Sequence, residues 1–416
     1  MKYCVIVDAY STGNQLAKYF RDNGYTLIHV QSSKTIPKIL KKSFKSMDFV
    51  SNFIFEEDID NLVNQLEPYS PSIIITGSET GVVLADSLSH HFEVAGNNVL
   101  LSTARRNKFD MIKTISNYGL QTAQQIQSSD LNEILKWSKK IDSWPIVIKP
   151  LNSAASDDVR FCKTSEDIKD AYYNIMNKIN SLGYLNTEVL AQEYIAGKQY
   201  MVNAVTINGE HYITDIWYEG LVEIEDSSII YDYWDLLPMD DEKYKELISY
   251  TKSVLTSLGI EYGASHTEIR LTDKGPVIIE SGARTMGLSI DEQILKEALG
   301  YTQAELTAYS FIDNEIFYRK YFAIKKQRKK LRITFLISNI NGSLKPGIFN
   351  INDLSTVEKI NLTAENNLIN ITNEPMNHPG WVYQLSDSFE DIENEYNEIR
   401  HNEMNGEYYK EVVPYF

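Results

Sequence analysis

Cysteine is scarce in this chain. Cys4 and Cys162 are the only two among 416 residues, which excludes a disulfide framework and a thiolate metal cluster. Positive charge is short as well, with 40 Lys and Arg against 57 Asp and Glu and a net charge of −17, so bulk attraction to nucleic acid or to an anionic membrane is excluded as the basis of function. An anionic small molecule would need basic residues gathered locally. No apolar run approaches the roughly 18 residues that span a bilayer. The first residues, MKYCVIVDAY, meet Asp8 before a long apolar segment develops, so the expectation is a soluble cytoplasmic protein. A dinucleotide fingerprint is missing too: Ser11-Thr12-Gly13 is not G-x-G-x-x-G, which argues against a dehydrogenase. Long internal repeats and low-complexity linkers are absent.

What is present is a chain long enough for two to four lobes, each with its own core. The first hundred residues alternate strand and helix: KYCVIVD, the amphipathic QLAKYFRDNG, TLIHV, then PSIIITG followed by the helical GVVLADSLSHHF. That order predicts a parallel α/β domain whose loops Ser11 to Asn14 and Gly77 to Thr80 lie at the ligand-binding edge of the sheet. Near Leu101 to Met111 the text turns polar and charged and opens a new helix, which reads as a boundary. A short lobe follows, with helix DLNEILKWSKKI, strand PIVIKP, loop LNSAASDD and strand VRFCK. Next come strands EVLAQEYI, YMVNAVTING and HYITDIWYE, then helix DEKYKELISYTKSVLTSLG. After about residue 310, strand-like ITFLISNI with Asn-Gly and Lys-Pro-Gly turns predicts a small α+β cap.

The stretch HTEIRLTDKGPVIIESGAR, His266 to Arg284, reads as a tight hairpin turned at Asp273-Lys274-Gly275. If Thr272 pairs with Pro276, Glu268 and Glu280 become direct cross-strand partners on one face. Like charges there repel, so either water screens them or a cation sits between them. Lys149 ends a buried-type strand and leads into a loop of small residues, Asn152 to Ser156, whose backbone N–H groups can approach an anion; a phosphate grip and a solvated strand end both fit. Gln192 and Glu193 precede a turn where a base and ribose could be met. Glu79 stands in the loop Gly77 to Thr80, either to meet a substrate ammonium group or as a helix-terminal carboxylate favoured by the dipole. IIYDYWDLLP sets Asp232 and Asp235 among aromatics, either walling a pocket for a cationic substrate or forming an aromatic core segment with exposed acids. The basic run KKQRKKLR, Lys325 to Arg332, reads as a solvated helix end.

The order of these features resembles the ATP-grasp superfamily. It is carried by NKFDMIKTISNYGLQTA, WPIVIKPLNSAASDDV, VLAQEYIAGKQYMV and GASHTEIRLTDKGPVIIESGARTMG, and covers about three quarters of the chain. The chain looks most like the carboxylate-amine ligase branch and its bacterial L-amino acid ligases, which make dipeptides. The resemblance implies an ATP-grasp fold, α/β and α+β in several lobes. Residues 1–104 would form an N-terminal parallel α/β substrate-side domain, 105–190 a central lid lobe, 191–310 the core with the metal-binding hairpin, and 311–416 the cap. It implies that Lys108 and Lys149, with Ser153 and Ser156 in the loop, contact ATP phosphates. Gln192, Glu193, Ile195 and Gln199 would line the nucleoside. Glu268 and Glu280 would hold Mg²⁺, or Mn²⁺ on the same carboxylates. Arg284 would neutralise phosphoryl charge or hold a substrate carboxylate, with His266 facing the site and Gly287 and Leu288 bordering the first amino acid. The expected reaction is phosphorylation of a carboxylate followed by attack of an amine, on small amino acid substrates, with no nucleic acid or membrane partner and with room for a homodimer.

The sequence departs from the family pattern at three points. Gln199 stands where Glu is common, Glu280-Ser281-Gly282 replaces Glu-x-Asn, and Ala154 and Ala155 stand where glycines are frequent. Another ATP-grasp ligase, of carboxylase or purine-pathway type, and a non-catalytic nucleotide-binding module are the alternative readings.

Overall fold

The computed structural model describes residues 1–141, 143–153, 157–224, 229–323, 327–374 and 377–411. Ala154, Ala155 and Ser156 of the small-residue loop therefore lie outside the described residues, as do Lys325 and Lys326 of the basic run. Two compact units emerge. The first comprises residues 1–215, 241–289 and 301–323; the second comprises residues 216–240, 290–300 and 324–416.

The first unit opens with four parallel strands: β1 (Lys2–Val7), β2 (Tyr25–Gln31), β3 (Ser51–Ile54) and β4 (Ile73–Thr76), in the order β3-β2-β1-β4. Successive side chains on a strand point to opposite faces, and β1 shows it. Cys4 and Ile6 join Leu16 and Phe20 of the helix Asn14–Asp22, while Val5 and Val7 join Leu62, Leu66 and Leu88 of the helices on the other side. Both faces are covered, as a parallel sheet requires. Strand β3 was not foreseen, because SNFI alternates only weakly between apolar and polar.

A second sheet joins β5 (Gln125–Ser128), β6 (Ile146–Lys149), β7 (Arg160–Cys162) and β8 (Val189–Glu193) in the antiparallel order β5-β8-β6-β7. Ile146, Ile148, Val189 and Ala191 turn to a core with Ile134, Ile168 and Ile175 from two helices. The alternate residues Val147, Lys149, Leu190 and Gln192 share the opposite face, with Val147 beside Gln192 and Lys149 beside Leu190. Both cysteines are buried and free.

Three antiparallel strands complete the site-bearing part of this unit: β9 (Lys198–Ile207), then β12 (Gly263–Thr272) and β13 (Gly275–Gly282), with β10 (Glu210–Glu223) and β11 (Ile229–Leu237) between them in sequence. The predicted hairpin forms, but by a different register. Thr272 pairs with Gly275, not Pro276, and Gly275 takes the left-handed φ of +105° that the turn needs. A bulge between Glu268 and Ile269 then gives the second strand one extra residue, Ile279, so that Glu268 still faces Glu280. The turn is one residue tighter than expected and the bulge restores the offset.

The second unit pairs the end of β10 with β11, and β11 with Lys330–Phe335, which pairs in turn with Gly380–Ser386 and that with Val357–Leu362. Its core gathers Leu336, Ile348, Ile351, Val382, Ile399 and Tyr409. Two expectations are corrected here. The end of the basic run is strand rather than solvated helix: Arg332 is buried and grips Asp235 through two bonds of 2.7 and 2.8 Å. Nor are the acids of YDYWD exposed. Asp235 belongs to that buried pair, and Asp232 takes Arg400 at 2.8 Å and the Tyr396 hydroxyl at 2.8 Å. Both carboxylates are neutralised within their own unit, which gives the reading of a wall for a cationic substrate no support. No helix among the described residues is long and apolar enough to cross a membrane.

Candidate active site

The pairing of β9, β12 and β13 places Gln199 beside Arg270 and sets Glu268 between Met201 and Glu280, and His266 between Asn203 and Gly282. Strand parity puts these rows on one face. His266 donates from Nδ1 to Asn203 Oδ1 at 2.8 Å, because the Asn203 amide nitrogen is turned to the Asp215 carboxylate, which only accepts. Its Nε2 lies 3.6 Å from Glu268 Oε1. Gln199 donates to the other Glu268 oxygen at 3.3 Å and receives Arg270 Nε at 3.1 Å, while Arg270 also reaches the Ile195 carbonyl at 2.8 Å. Burial alone would raise the Glu268 pKa; His266, then Arg284 and Lys108, pull it below the usual carboxylate value.

Lys108 is the first residue of the helix Lys108–Asn117, whose start is fixed by Asn107 accepting from the N–H groups of Phe109 and Asp110. Its ammonium reaches Glu280 Oε2 at 2.8 Å and the Ser153 carbonyl at 2.7 Å. The Ser153 hydroxyl donates to Asp157, which also receives the Ser181 N–H at 2.9 Å, so Ser153 is braced from a second loop. Lys149 is only 4% exposed, yet its ammonium makes no hydrogen bond or ion pair among the described residues. Burial, then the neighbouring charge of Lys108, pushes it down to about 8 against the pull of Glu280 and Glu268. A buried ammonium with no acceptor among the described residues suits an anionic ligand.

Gln192 shares the sheet face of Lys149 and bonds Gln125 at 3.3 Å; Glu193 accepts from the Gln124 N–H at 3.1 Å. The Gly287 carbonyl accepts from Ser11 at 2.6 Å and Thr12 at 3.3 Å, and Leu288 beside it is half-buried.

Glu79 was expected either to meet a substrate ammonium group or to stand as a helix-terminal carboxylate, and its carboxylate is engaged by two arginines. It is buried, with Oε1 on Arg106 Nη1 at 2.7 Å and Oε2 on Arg284 Nε at 2.8 Å. Burial would raise its pKa, but the charges of Arg106 and Arg284 outweigh that and hold it down at about 2. Gly282 makes the room: a Cβ there would stand 2.8 Å from Glu79 Oε2 and 3.3 Å from Arg284 Nε. Arg106 escaped the sequence reading, since nothing in Arg105-Arg106 distinguishes one arginine from the other.

No cluster of three or more His, Cys, Asp or Glu able to hold a metal occurs among the described residues. Glu268 and Glu280 alone therefore do not build a cage. That donor set suits a hard divalent ion that draws most of its shell from phosphate oxygens and water.

Comparison with known proteins bears on the same residues. The profile of the ATP-grasp domain matches residues 142–291. Dapdiamide A synthase of Enterobacter agglomerans is 33% identical over 311 residues, 74% of this chain and 73% of that protein. The L-arginine-specific L-amino acid ligase of Bacillus subtilis is 25% identical over 232 residues, 54% of each chain. Among solved structures, the L-amino acid ligase from Bacillus licheniformis superposes with a TM-score of 0.74 at 17% identity, covering 96% of this chain and 97% of that one, which shows a shared fold.

Proposed function

The chain belongs to the ATP-grasp family of carboxylate-amine ligases, and from that premise we propose that it joins two amino acids through an acyl phosphate, releasing ADP and phosphate. The observation that carries this reading is the buried Lys149, whose ammonium has no acceptor among the described residues, set with Lys108 against the paired Glu268 and Glu280. Lys108, Lys149 and the loop carrying Ser153 and Ser156 receive the ATP phosphates. Gln192, Glu193, Ile195 and Gln199 line the nucleoside. Glu268 and Glu280 hold Mg²⁺, or Mn²⁺, which when bound neutralises phosphate charge. The substrates are amino acids, as the name of the L-arginine-specific L-amino acid ligase has it for that protein, and we set the work in the cytoplasm.

In the first step an oxygen of the donor carboxylate bonds to the γ-phosphorus and ADP leaves. Arg284 stands by to neutralise the phosphoryl charge, because a planar guanidinium suits spread negative charge. In the second the acceptor amine forms the C–N bond, loses a proton, and phosphate departs. His266 faces this site, and Gly287 and Leu288 border the first amino acid. Positioning and exclusion of water carry most of the catalysis.

The test is ADP release in the presence of Mg²⁺ across the twenty amino acids, singly and in pairs, with products identified by mass. Amino-acid-dependent release, lost at least 100-fold in Glu280→Ala, is the expected result. ATP binding without such release would overturn the reading.

A further inference from the structure

Arg105 and Arg106 are neighbours in sequence and opposites in use. Arg105 is wholly buried and spends its guanidinium on Asp86 at 2.7 Å and on the carbonyls of Leu258 at 2.7 Å, Asn98 at 2.8 Å and Gly259 at 3.4 Å. It ties chain segments together. Arg106 is 8% exposed and makes one hydrogen bond among the described residues, to Glu79, with the Tyr184 ring 6.0 Å from its guanidinium carbon. Five donors on a nearly buried guanidinium with one acceptor leave most of its capacity unspent.

The charges around it point the same way. Arg106, Lys108, Lys149, Arg270 and Arg284 gather about Glu79, Glu268 and Glu280 in a chain that is acidic overall. Glu79 bridges Arg106 and Arg284, one oxygen to each, and the missing side chain at Gly282 leaves space for that bridge. A carboxylate shared by two guanidinium groups orients both while cancelling only one charge. The N–H groups of Arg106 left over after Glu79, with those of Arg284 left over after Glu79 and the Thr285 carbonyl, present a fork of donors with one net positive charge, which suits a carboxylate through paired bonds.

We infer that Arg106 is a second substrate-binding arginine, acting with Arg284 on the carboxylate of an amino acid substrate, and that Glu79 is the positioning residue that holds the two guanidinium groups. This rests on the ligase reading above, and it adds a residue and a ligand group to it.

The experiment compares wild type with Arg106→Met, Arg106→Lys and Glu79→Gln, using each amino acid that drives ADP release in the wild type and that amino acid's own C-terminal amide as acceptor. Failure of the wild type to release ADP would defeat the ligase reading itself. With the wild type active, Arg106→Met is expected to raise KM for one amino acid by 10- to 100-fold while KM for ATP stays within about twofold. Arg106→Lys, which keeps the charge and the fold but loses the fork, should recover only part of the loss. Glu79→Gln should raise the same KM and leave ATP unaffected.

The amide separates the two sources of the carboxylate. If the acceptor's carboxylate is held, wild type discriminates against the amide and Arg106→Met does not. If the donor's is held, discrimination is unchanged and the KM rise falls on the donor. A rise in KM for ATP alone, or amino acid KM values unchanged in both folded Arg106 variants, would overturn the inference.

Discussion

At the scale of single residues, Lys149 shows a site built at the expense of the fold. The unfolded chain holds this lysine at its ordinary 10.5, whereas the folded chain holds it near 8. Between those values the unfolded state binds more protons, so stability contributed through this group rises with pH across that window. Below pH 8 the full cost, about 3 kcal/mol, stays with the folded protein. Nucleotide-free Lys149→Met is therefore expected to be more stable than wild type at pH 7 by up to about 3 kcal/mol, with the gap closing toward pH 10.5. Urea unfolding at several pH values measures it. If Lys149 receives ATP phosphate as proposed, the same variant should lose the stabilisation that ATP gives the wild type.

At the scale of elements, the hairpin shows what the sequence could and could not disclose. Glu268 opposite Glu280 was legible because the two runs, the turn residues and the parity of the glutamates agree. The compensating bulge at Ile279 was not, since a bulge is a matter of ladder geometry and any apolar residue there reads as continuing strand. Lys149 was legible as the end of an apolar strand, but its lack of an acceptor among the described residues depends on what the fold brings near. The arginine fork was hidden for the same reason: Glu79, Arg106 and Arg284 sit far apart in sequence and meet only in the folded unit. The acids of YDYWD misled because their partners, Arg332 and Arg400, lie 97 and 168 residues away. Deleting Ile279 tests the bulge. With the turn unchanged, the deletion sets Glu280 directly after Ile278 and so still opposite Glu268, in a regular ladder. The deletion is therefore expected to keep Mg²⁺-dependent ADP formation within about tenfold of wild type, with circular dichroism reporting a folded chain; a loss beyond that would show that the bulge itself aims the carboxylates.

At the scale of the molecule, each unit is assembled from separated stretches of chain. The second is made of residues 216–240, 290–300 and 324–416, with parts of the first between them. Its strand Ile229–Leu237 pairs with Lys330–Phe335, and the buried Asp235 finds its arginine there. A chain stopped at residue 323 would leave Asp235 unpaired and the strand without its neighbour. Breaking a buried ion pair by removing one member costs about 3–5 kcal/mol, and an open strand edge invites aggregation. Such a truncation is expected to be insoluble, where simple loss of a separate appendage would leave a monomer in solution. Gel filtration of the expressed product decides between them.

The interleaving of segments also governs how the protein is born. On the ribosome, Trp217, Ile230, Trp234 and Leu236 emerge well before residues from 324 onward can complete their unit. At about 5–20 residues per second that interval is roughly 4 to 17 s, during which apolar side chains of a half-made sheet wait uncovered. Slow translation prolongs this exposure, and the nascent chain, more than the finished enzyme, is where chaperones would be needed.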